Sequence, residues 1–212
     1  MTKEEILNRT GLNWNVKTEN VMTASGIEIP NRIALVREDI QEVLGIHTNV
    51  YVPYQNDELI ELLFKISNQS GLNIHTGGFF KNGKKVWFQL KSDDYRIGND
   101  MIKGYISGFN SFDGRSSLTF SNATLTVSCM NTFWNGYDQV ETRLRHSAKM
   151  RPRIDEILRK IDVLLQKEKK VFETIRRMNE IPMTPEIREL ITKMMFSLNN
   201  EEKLDSMDLS TN

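Results

Sequence analysis

The sequence is poor in the residues that build disulfides, metal sites and membrane spans. Its one cysteine, Cys129, cannot form a disulfide within the chain, which favours an intracellular setting. No apolar run approaches the ~20 residues of a membrane-spanning helix, and the N-terminus lacks a basic-then-apolar signal pattern. We therefore expect a cytoplasmic protein with no membrane partner.

Patterns for catalysis and cofactor binding are also missing. The 3 histidines lie far apart, and none has a cysteine or carboxylate at metal-ligand spacing. No glycine-rich loop ends in Lys-Ser or Lys-Thr, the pattern that holds ATP phosphates. Cys129 follows the alternating Leu125 and Val127, which indicates a small core side chain rather than a nucleophile. We expect no catalytic residue, cofactor or metal, and an enzyme stays open as one alternative.

The composition is that of a folded protein without overall charge. Apolar residues make up 39% of the chain and charged residues 26%, which are globular rather than disordered fractions. The 28 cations balance the 28 anions. A charged partner must therefore be recognised by a local concentration of one sign of charge.

Turn residues and hydrophobic periodicity predict the elements of the first part of the chain. The Asn82-Gly83 and Asp113-Gly114 dipeptides are hairpin signals, and each lies between two alternating apolar runs. In chain order we predict a helix (2–8), a hairpin (13–23 with 27–38), a helical turn (40–44), a strand (46–53), a helix (58–70) and two further hairpins (72–80 with 84–91, and 101–109 with 118–130). The polar segment 92–100 is expected to be a loop.

The chain is predicted to turn helical from Asn131 onward. Pro152 suits the first position of a long helix, whose apolar residues recur in heptads except at Glu168. Thr184 and Pro185 begin a shorter final helix. The apolar stripe could be covered by the body of the domain, by a second chain, or by the final helix in a hairpin, which is the interpretation that we favour. The predicted oligomer interface consists of Ile154, Ile157, Ile161, Leu164, Val171 and Ile175.

These elements predict an α+β fold, with an antiparallel β-sheet and packed helices followed by a long C-terminal helix and a shorter final helix. The predicted core domain covers residues 1–151, and a C-terminal helical hairpin or oligomerisation region covers 152–198. Residues 199–212 are expected to form a disordered polar tail.

Positive charge is concentrated immediately before the long helix. The segment 143–153 contains cations and no acid, and a helical conformation would place Arg143, Ser147 and Arg151 on one face. Such a face suits a phosphate backbone, because each neutralised phosphate releases counterions. The alternative is a solvated helix face. The predicted nucleic-acid-binding residues are Arg143, Arg145, Lys149, Arg151 and Arg153, supported by Arg37, Lys84, Lys85 and Arg115.

Two further segments could contact a nucleic acid. Lys84 and Lys85 adjoin Trp87 and Phe88, a mixture that suits phosphates and stacked bases. Adjacent strand residues point to opposite faces, so at most one of the two rings is exposed, and the alternative is a core aromatic beside an edge protected by lysines. Residues 131–135 could hold a phosphate at a helix start or serve as ordinary caps.

Several short motifs follow one another in the order that is typical of a known family. They include Arg37-Glu38-Asp39, Leu44-Gly45, Tyr51-Val52-Pro53-Tyr54-Gln55-Asn56 and Cys129-Met130-Asn131-Thr132. Over roughly residues 31–161 the sequence resembles the phage- and plasmid-associated domain-of-unknown-function family. The resemblance implies a phage or mobile-element setting, an N-terminus shorter than that of longer members, and C-terminal helices that lie outside the family's pattern.

The order of helix, antiparallel strands and long basic helix is similar to the core of single-strand annealing recombinases, the Red-beta and RecT group. That likeness implies a homo-oligomeric ring or filament that holds single-stranded DNA in a basic groove and pairs strands without ATP. We therefore predict a phage-type single-stranded nucleic-acid-binding protein, for DNA or RNA, that acts in DNA recombination. The alternative is an oligomeric structural or interaction protein of a mobile element, which uses the heptad helix and could act on a host system.

Overall fold

The computed structural model of the chain describes residues 2–124, 131–132 and 142–194. These residues form two antiparallel sheets and four helices, which confirms the predicted α+β class. The elements in chain order are α1 (Lys3–Thr10), β1 (Val16–Met22), β2 (Glu28–Arg37), β3 (Glu42–Thr48), α2 (Asn56–Ser70), β4 (Asn73–Phe80), β5 (Lys85–Ile97), β6 (Asp100–Ser111), β7 (Leu118–Ala123), β8 (Thr142–Leu144), α3 (Ile154–Asn179) and α4 (residues 185–194). Short 3-10 turns, Lys81–Gly83 and Arg151–Arg153, precede β5 and α3.

Each sheet is built from consecutive strands. The strand order is β1-β2-β3 in the first sheet and β4-β5-β6-β7-β8 in the second, and all neighbours pair antiparallel. The turn between β4 and β5 places Asn82 at φ 54° and Gly83 at φ 103°, the left-handed conformations that an Asn-Gly pair adopts easily. Short connections of this kind explain why strands that are neighbours in sequence are also neighbours in space.

The helix α2 begins at Asn56, two residues before the predicted start at residue 58. Its N-cap is Gln55, whose side chain forms a capping box with Glu58. The backbone N–H of Gln55 donates to Glu58 Oε2 at 3.0 Å. Gly71 ends the helix at φ 74°, a conformation that glycine adopts without a steric cost. The buried face of α2 then packs into the same hydrophobic cluster as the sheets.

The first part of α3 is built into that cluster. It packs there with Leu63 of α2 and Phe120 of β7, and the Asn122 amide donates to the carbonyl oxygen of Leu164 at 3.0 Å. The chain's own core therefore covers this part of the heptad stripe, whereas Val171 is exposed and Ile175 is half-buried. The predicted interface residues that face inward are Ile154, Ile157, Ile161 and Leu164.

The chain divides into two compact units, Met1–Phe172 and Glu173–Asn212. The boundary between these two units lies within α3, whose first part belongs to the core of the first unit. The second unit contains α4, which confirms the predicted final helix. None of the described helices is long and apolar enough to cross a membrane. The predicted tail, 199–212, lies outside the described residues, as does Cys129.

Three predicted local structures are wrong. The expected helical turn over 40–44 is a turn followed by β3, which pairs with β2 through contacts such as Ile46 with Ala34. The expected loop over 92–100 is mostly the end of β5, paired with β6. The expected helix around Arg143 is the strand β8, because Leu144 pairs with Leu118 of β7 and is buried. In each case pairing with a neighbouring strand outweighs the local sequence pattern.

Candidate nucleic-acid interface

Five of the nine predicted cations line two adjoining pockets. The Lys149 pocket, of about 410 Å³, is bounded by Ser117, Arg143, Arg145, Ser147, Lys149 and Arg153. The Arg115 pocket, of about 340 Å³, is bounded by Tyr51, Arg115, Ser116, Ser117, Arg143, Arg145 and His146. Because Ser117, Arg143 and Arg145 line both pockets, we treat the two as one surface and call it the basic groove.

The alternation of β8 places the two shared arginines on one side. Thr142, Leu144 and His146 are buried, whereas Arg143 and Arg145 between them are exposed. Successive side chains of an extended strand point to opposite faces, so anchoring one set in the core turns the other set outward. Strand alternation therefore places Arg143 and Arg145 on one side, whereas the helical face predicted for Arg143, Ser147 and Arg151 does not form.

Positive charge dominates the described lining of the basic groove. No aspartate or glutamate is among the described residues that line either pocket. Arg115, Arg143, Arg145 and Lys149 are exposed. Cations gathered in a concave surface without carboxylates between them attract anions more strongly than the same charges spread over the protein.

Arg153 is partly neutralised within the fold. Its Nε and Nη2 each lie 2.8 Å from a carboxylate oxygen of Glu156. The hydrogen bonds with Arg153 lower the pKa of Glu156, and the same bonds raise the pKa of Arg153. Since both partners are exposed to solvent, the pair is weak and Arg153 can exchange Glu156 for a phosphate at small cost.

Arg151 does not line either pocket. Its Nε lies 2.6 Å from Glu58 Oε1 and its Nη2 lies 2.8 Å from Glu58 Oε2, so it connects the segment before α3 to the first turn of α2. The hydrogen bond to Glu58 raises the pKa of Arg151. Arg151 therefore forms an ion pair within the fold and lies outside the basic groove.

Arg37 is also occupied within the fold. Its guanidinium forms two 2.8 Å bonds to Asp39 and donates to the carbonyl oxygen of Asn82 at 3.0 Å. It lies over the rings of Trp14 and Phe79, with distances of 4.3 and 4.9 Å to the ring centroids. With 8% of its surface exposed, Arg37 joins β2 to the turn before β5 and lies outside both pockets.

The adjacent lysines Lys84 and Lys85 have different environments. Lys85 is 1% exposed, and its Nζ donates to Asp113 Oδ1 at 3.0 Å and to Ser116 Oγ at 3.1 Å. Burial lowers the pKa of Lys85, and the hydrogen bond with Asp113 opposes that shift. Lys84 is half-buried and lines neither pocket. Trp87 and Phe88 are both buried, which agrees with the core alternative for this segment.

A stack of three rings forms part of the Arg115 pocket, and sequence reasoning missed it. His47 stacks on Tyr51 with centroids 4.1 Å apart, and Tyr51 stacks on His146 at 5.0 Å. The three residues come from separate segments, so only the fold brings them together. The alternation from Thr142 to His146 was the one local signal that could have marked His146 as an inward side chain.

Two rings of this stack, Tyr51 and His146, are uncharged at neutral pH. Burial, with a smaller contribution from His47, lowers the pKa of His146 to about 4. Both ring nitrogens of His146 are buried and have no hydrogen-bond partner among the described residues. The Tyr51 hydroxyl donates to the carbonyl oxygen of Ser111 at 2.8 Å, and burial raises its pKa. The charge of the Arg115 pocket therefore comes from its arginines.

The groove offers guanidinium, ammonium and hydroxyl donors, which are groups that bind anions. Within the part of the chain that the structure describes, no three His, Cys, Asp or Glu side chains cluster in a way that could hold a metal ion. Of the predicted phosphate cap over 131–135, only residues 131 and 132 are described.

Comparison with known proteins identifies one family. A family model described as "Domain of unknown function (DUF932)" matches residues 43–210. No curated protein and no solved structure matches the chain. The matched range includes α3 and α4, so the expectation that the C-terminal helices lie outside the family is wrong. It also includes every residue that lines the basic groove. The chain belongs to this family of proteins, the domain of unknown function DUF932.

Proposed function

We propose that the chain binds single-stranded nucleic acid along the basic groove. The observation that supports this proposal is the sharing of Arg143 and Arg145 by two pockets whose described lining contains no carboxylate. Each pocket falls at the small end of the range for small-molecule sites, about 300–1,000 Å³, and so suits a single nucleotide. Two consecutive nucleotides could then place their connecting phosphate on the shared arginines.

The shape of the groove favours a single strand over a duplex. A single strand can turn its nucleotides individually into concave pockets, whereas a duplex keeps its bases stacked inside a rod. Both faces of the Tyr51 ring are covered, one by His47 and the other by His146, so a base cannot stack there. Binding would rest on phosphate contacts, and we expect little sequence preference.

We further propose that bound strands are annealed without ATP during DNA recombination. Neutralised phosphates repel a second strand less, so a held strand can test pairing with its complement. The fold-order likeness to annealing recombinases supports this step by analogy, and it extends to a homo-oligomeric ring or filament. The motif resemblance supports a phage or mobile-element origin, with the protein acting in the host cytoplasm. Val171, exposed on α3, could contact a second copy.

Fluorescence anisotropy with labelled single-stranded DNA, single-stranded RNA and duplex DNA of equal length tests the binding proposal. We expect single strands to bind more tightly, with log affinity falling against log salt by about 0.7 for each phosphate contacted. Arg143→Glu combined with Arg145→Glu should abolish binding. Arg32→Glu, an exposed arginine of β2 outside both pockets, is the control that should retain it. Absence of salt-dependent binding by the unaltered protein at low salt overturns the proposal.

Annealing is tested separately by fluorescence transfer between two labelled complementary strands. The protein should accelerate pairing without ATP, and the double arginine variant should not. Binding without acceleration would leave the nucleic-acid interface in place and remove annealing from the proposal. The mass of the protein with and without DNA, measured by light scattering, shows whether a ring or filament assembles.

A further inference from the structure

The loop between β6 and β7 lines the Arg115 pocket and is held by internal hydrogen bonds. The Ser111 hydroxyl donates to the carbonyl oxygen of Ser116 at 2.7 Å, and the Ser116 N–H donates back to Ser111 Oγ at 3.2 Å. The Arg115 N–H donates to Asp113 Oδ1 at 3.0 Å. These bonds fix the backbone on which Arg115 and Ser116 stand, so the pocket wall needs little ordering when a ligand binds.

Glycine is required in this loop. Gly114 has φ 74°, and a Cβ at this position would lie 2.7 Å from Cε1 of His47. The close approach places the loop against the first ring of the His47–Tyr51–His146 stack. The loop therefore packs directly against the ring stack, and together they form one side of the Arg115 pocket.

The hydroxyl of Ser116 is oriented by a buried cation. Lys85 Nζ carries only hydrogen-bond donors, so Ser116 Oγ must accept in the 3.1 Å bond between them. Its own hydrogen then points elsewhere, and none of the hydrogen bonds among the described residues uses it. Ser116 lines the Arg115 pocket, so this hydrogen can be donated to an anion held there. Lys85 thereby supports the site without touching the ligand.

Even without Arg143, the described lining of the Arg115 pocket carries the two positive charges of Arg115 and Arg145, against the single negative charge of an internal phosphate. Arg115, Arg143 and Arg145 bring three guanidinium groups to its described lining, which contains no carboxylate. An internal phosphodiester carries a single negative charge, whereas a phosphate monoester carries about −1.5 to −2 near pH 7 and presents three terminal oxygens. Guanidinium groups bind such oxygens in pairs, so three of them with a serine hydroxyl match the monoester better.

We infer that the Arg115 pocket is a subsite for the terminal phosphate monoester of a nucleic-acid strand, held by Arg115, Arg143, Arg145 and the Ser116 hydroxyl. This inference rests on the proposed function, since it assigns to that groove a preference for phosphorylated strand ends. The Lys149 pocket then receives the adjoining nucleotide through the shared arginines. The monoester could stand at the 5′ or the 3′ end, and the experiment separates the two.

The test compares three single-stranded DNA oligonucleotides of about eight nucleotides, within the site sizes of roughly 4–16 known for such binders. One carries a 5′-phosphate, one a 3′-phosphate and one neither, and each competes against a labelled strand in an anisotropy assay at fixed salt. We expect one phosphorylated oligonucleotide to compete at least about tenfold better than the unphosphorylated one, as an added charge-assisted contact would give.

Two variants assign the preference to the pocket. Arg115→Ala and Ser116→Ala should each reduce the preference to near unity, so that the phosphorylated and unphosphorylated strands compete equally. Lys149→Ala, in the other pocket, should weaken all three strands by the same factor and keep the preference. Thermal melting confirms that each variant is folded, and Arg115 is exposed, so its removal leaves the core intact.

The outcomes separate this inference from the proposed function. Equal competition by all three oligonucleotides overturns the terminal-phosphate subsite and leaves strand binding in place. A preference that persists in both Arg115→Ala and Ser116→Ala also overturns it, because the monoester would then be held elsewhere. Failure of every oligonucleotide to bind overturns the proposed function itself.

Discussion

Glu168 of α3 accepts a hydrogen bond from the Ser92 hydroxyl of β5, with 2.7 Å between the two oxygens. The residue is 4% exposed, and its second carboxylate oxygen lies 3.4 Å from the Tyr95 hydroxyl. Gly104 on the neighbouring strand leaves the space that the carboxyl occupies, since a Cβ there would collide with it. Glu168, the one polar residue of the heptad stripe, is thus accommodated by Ser92, Tyr95 and the space above Gly104. These contacts explain why α3 tolerates a carboxyl group at this buried position.

Glu168→Gln should remove a pH-dependent loss of stability. Burial raises the pKa of Glu168 above its ordinary value of 4.5. A carboxyl raised in this way stabilises the fold fully below the unfolded pKa, and that contribution is lost as pH rises through the folded pKa. Urea unfolding between about pH 4 and pH 8 should show this decline in the unaltered protein and a flatter profile in the variant.

The exposed Glu173→Gln on the same helix is the matched control, and its profile should follow that of the unaltered protein. At pH 7 the Glu168 variant should be as stable as the unaltered protein or more so, because its amide keeps the Ser92 bond and carries no buried charge. A loss of several kcal/mol at pH 7 would show instead that the ionised carboxylate is needed.

His146→Phe should remove a loss of stability that the unaltered protein shows at low pH. The pKa of His146 falls from 6.5 in the unfolded chain to about 4 in the fold. The folded state therefore binds fewer protons in this window, so stability is complete above the unfolded pKa and is lost as pH falls towards the folded one. This difference in pKa corresponds to about 3 kcal/mol of unfolding free energy. The unaltered protein should lose that free energy at low pH, and the variant should keep it.

Calorimetric or urea unfolding across that window measures the effect. His75→Phe, at an exposed position on β4, is the control and should keep the acid-side loss. If the two variants show the same pH profile, protonation of His146 is not the cause of the loss.

Replacing each of two adjacent lysines should give very different stabilities. Lys85→Met leaves the Asp113 carboxylate without its buried partner and removes the donor to Ser116, so we expect a loss of about 3 kcal/mol. Lys84→Met, at a half-buried position of the same turn, should change stability by less than about 0.5 kcal/mol. Equal effects in urea unfolding would contradict the buried ion pair between Lys85 and Asp113.

Arg151 and Arg145 should separate stability from binding. Arg151→Ala breaks the two bonds to Glu58 and should lower stability by up to about 1 kcal/mol, since the pair is partly exposed, with little effect on single-strand affinity. Arg145→Ala should leave the melting temperature nearly unchanged and weaken binding. Melting curves and anisotropy on both variants check the contrast, and a reversed result would move the interface towards α2.

Three hairpins, β1–β2, β4–β5 and β6–β7, could be predicted because their signals are local. Asn82 and Gly83 adopt the left-handed conformations that their turn requires, and the strands on either side carry their own alternation. The strand β8 could not be predicted in the same way. It is three residues long, and its reason for being a strand is Leu118, which pairs with Leu144 across a long stretch of sequence.

The candidate site shows the same division between local and distant causes. The concentration of cations before α3 was visible in the sequence, and most of its members do line the basic groove. The sequence could not distinguish Arg145 from Arg151, because the difference is made by Glu58 on another helix. Nor does the sequence show that Tyr51, Ser116 and His146 line one pocket, because the three loops that carry them meet only after the sheets have formed.

Arg143 and Arg145 also protect an exposed sheet edge, because β8 lies at the end of its sheet. In the described strand order β8 is an edge, and an edge strand offers unpaired backbone groups to any other extended chain. Two exposed arginines within and just after so short a strand discourage such pairing, because a second copy would bring like charges together. Apolar replacements of Arg143 and Arg145 should therefore promote aggregation, whereas glutamate replacements keep a charged edge and a soluble protein.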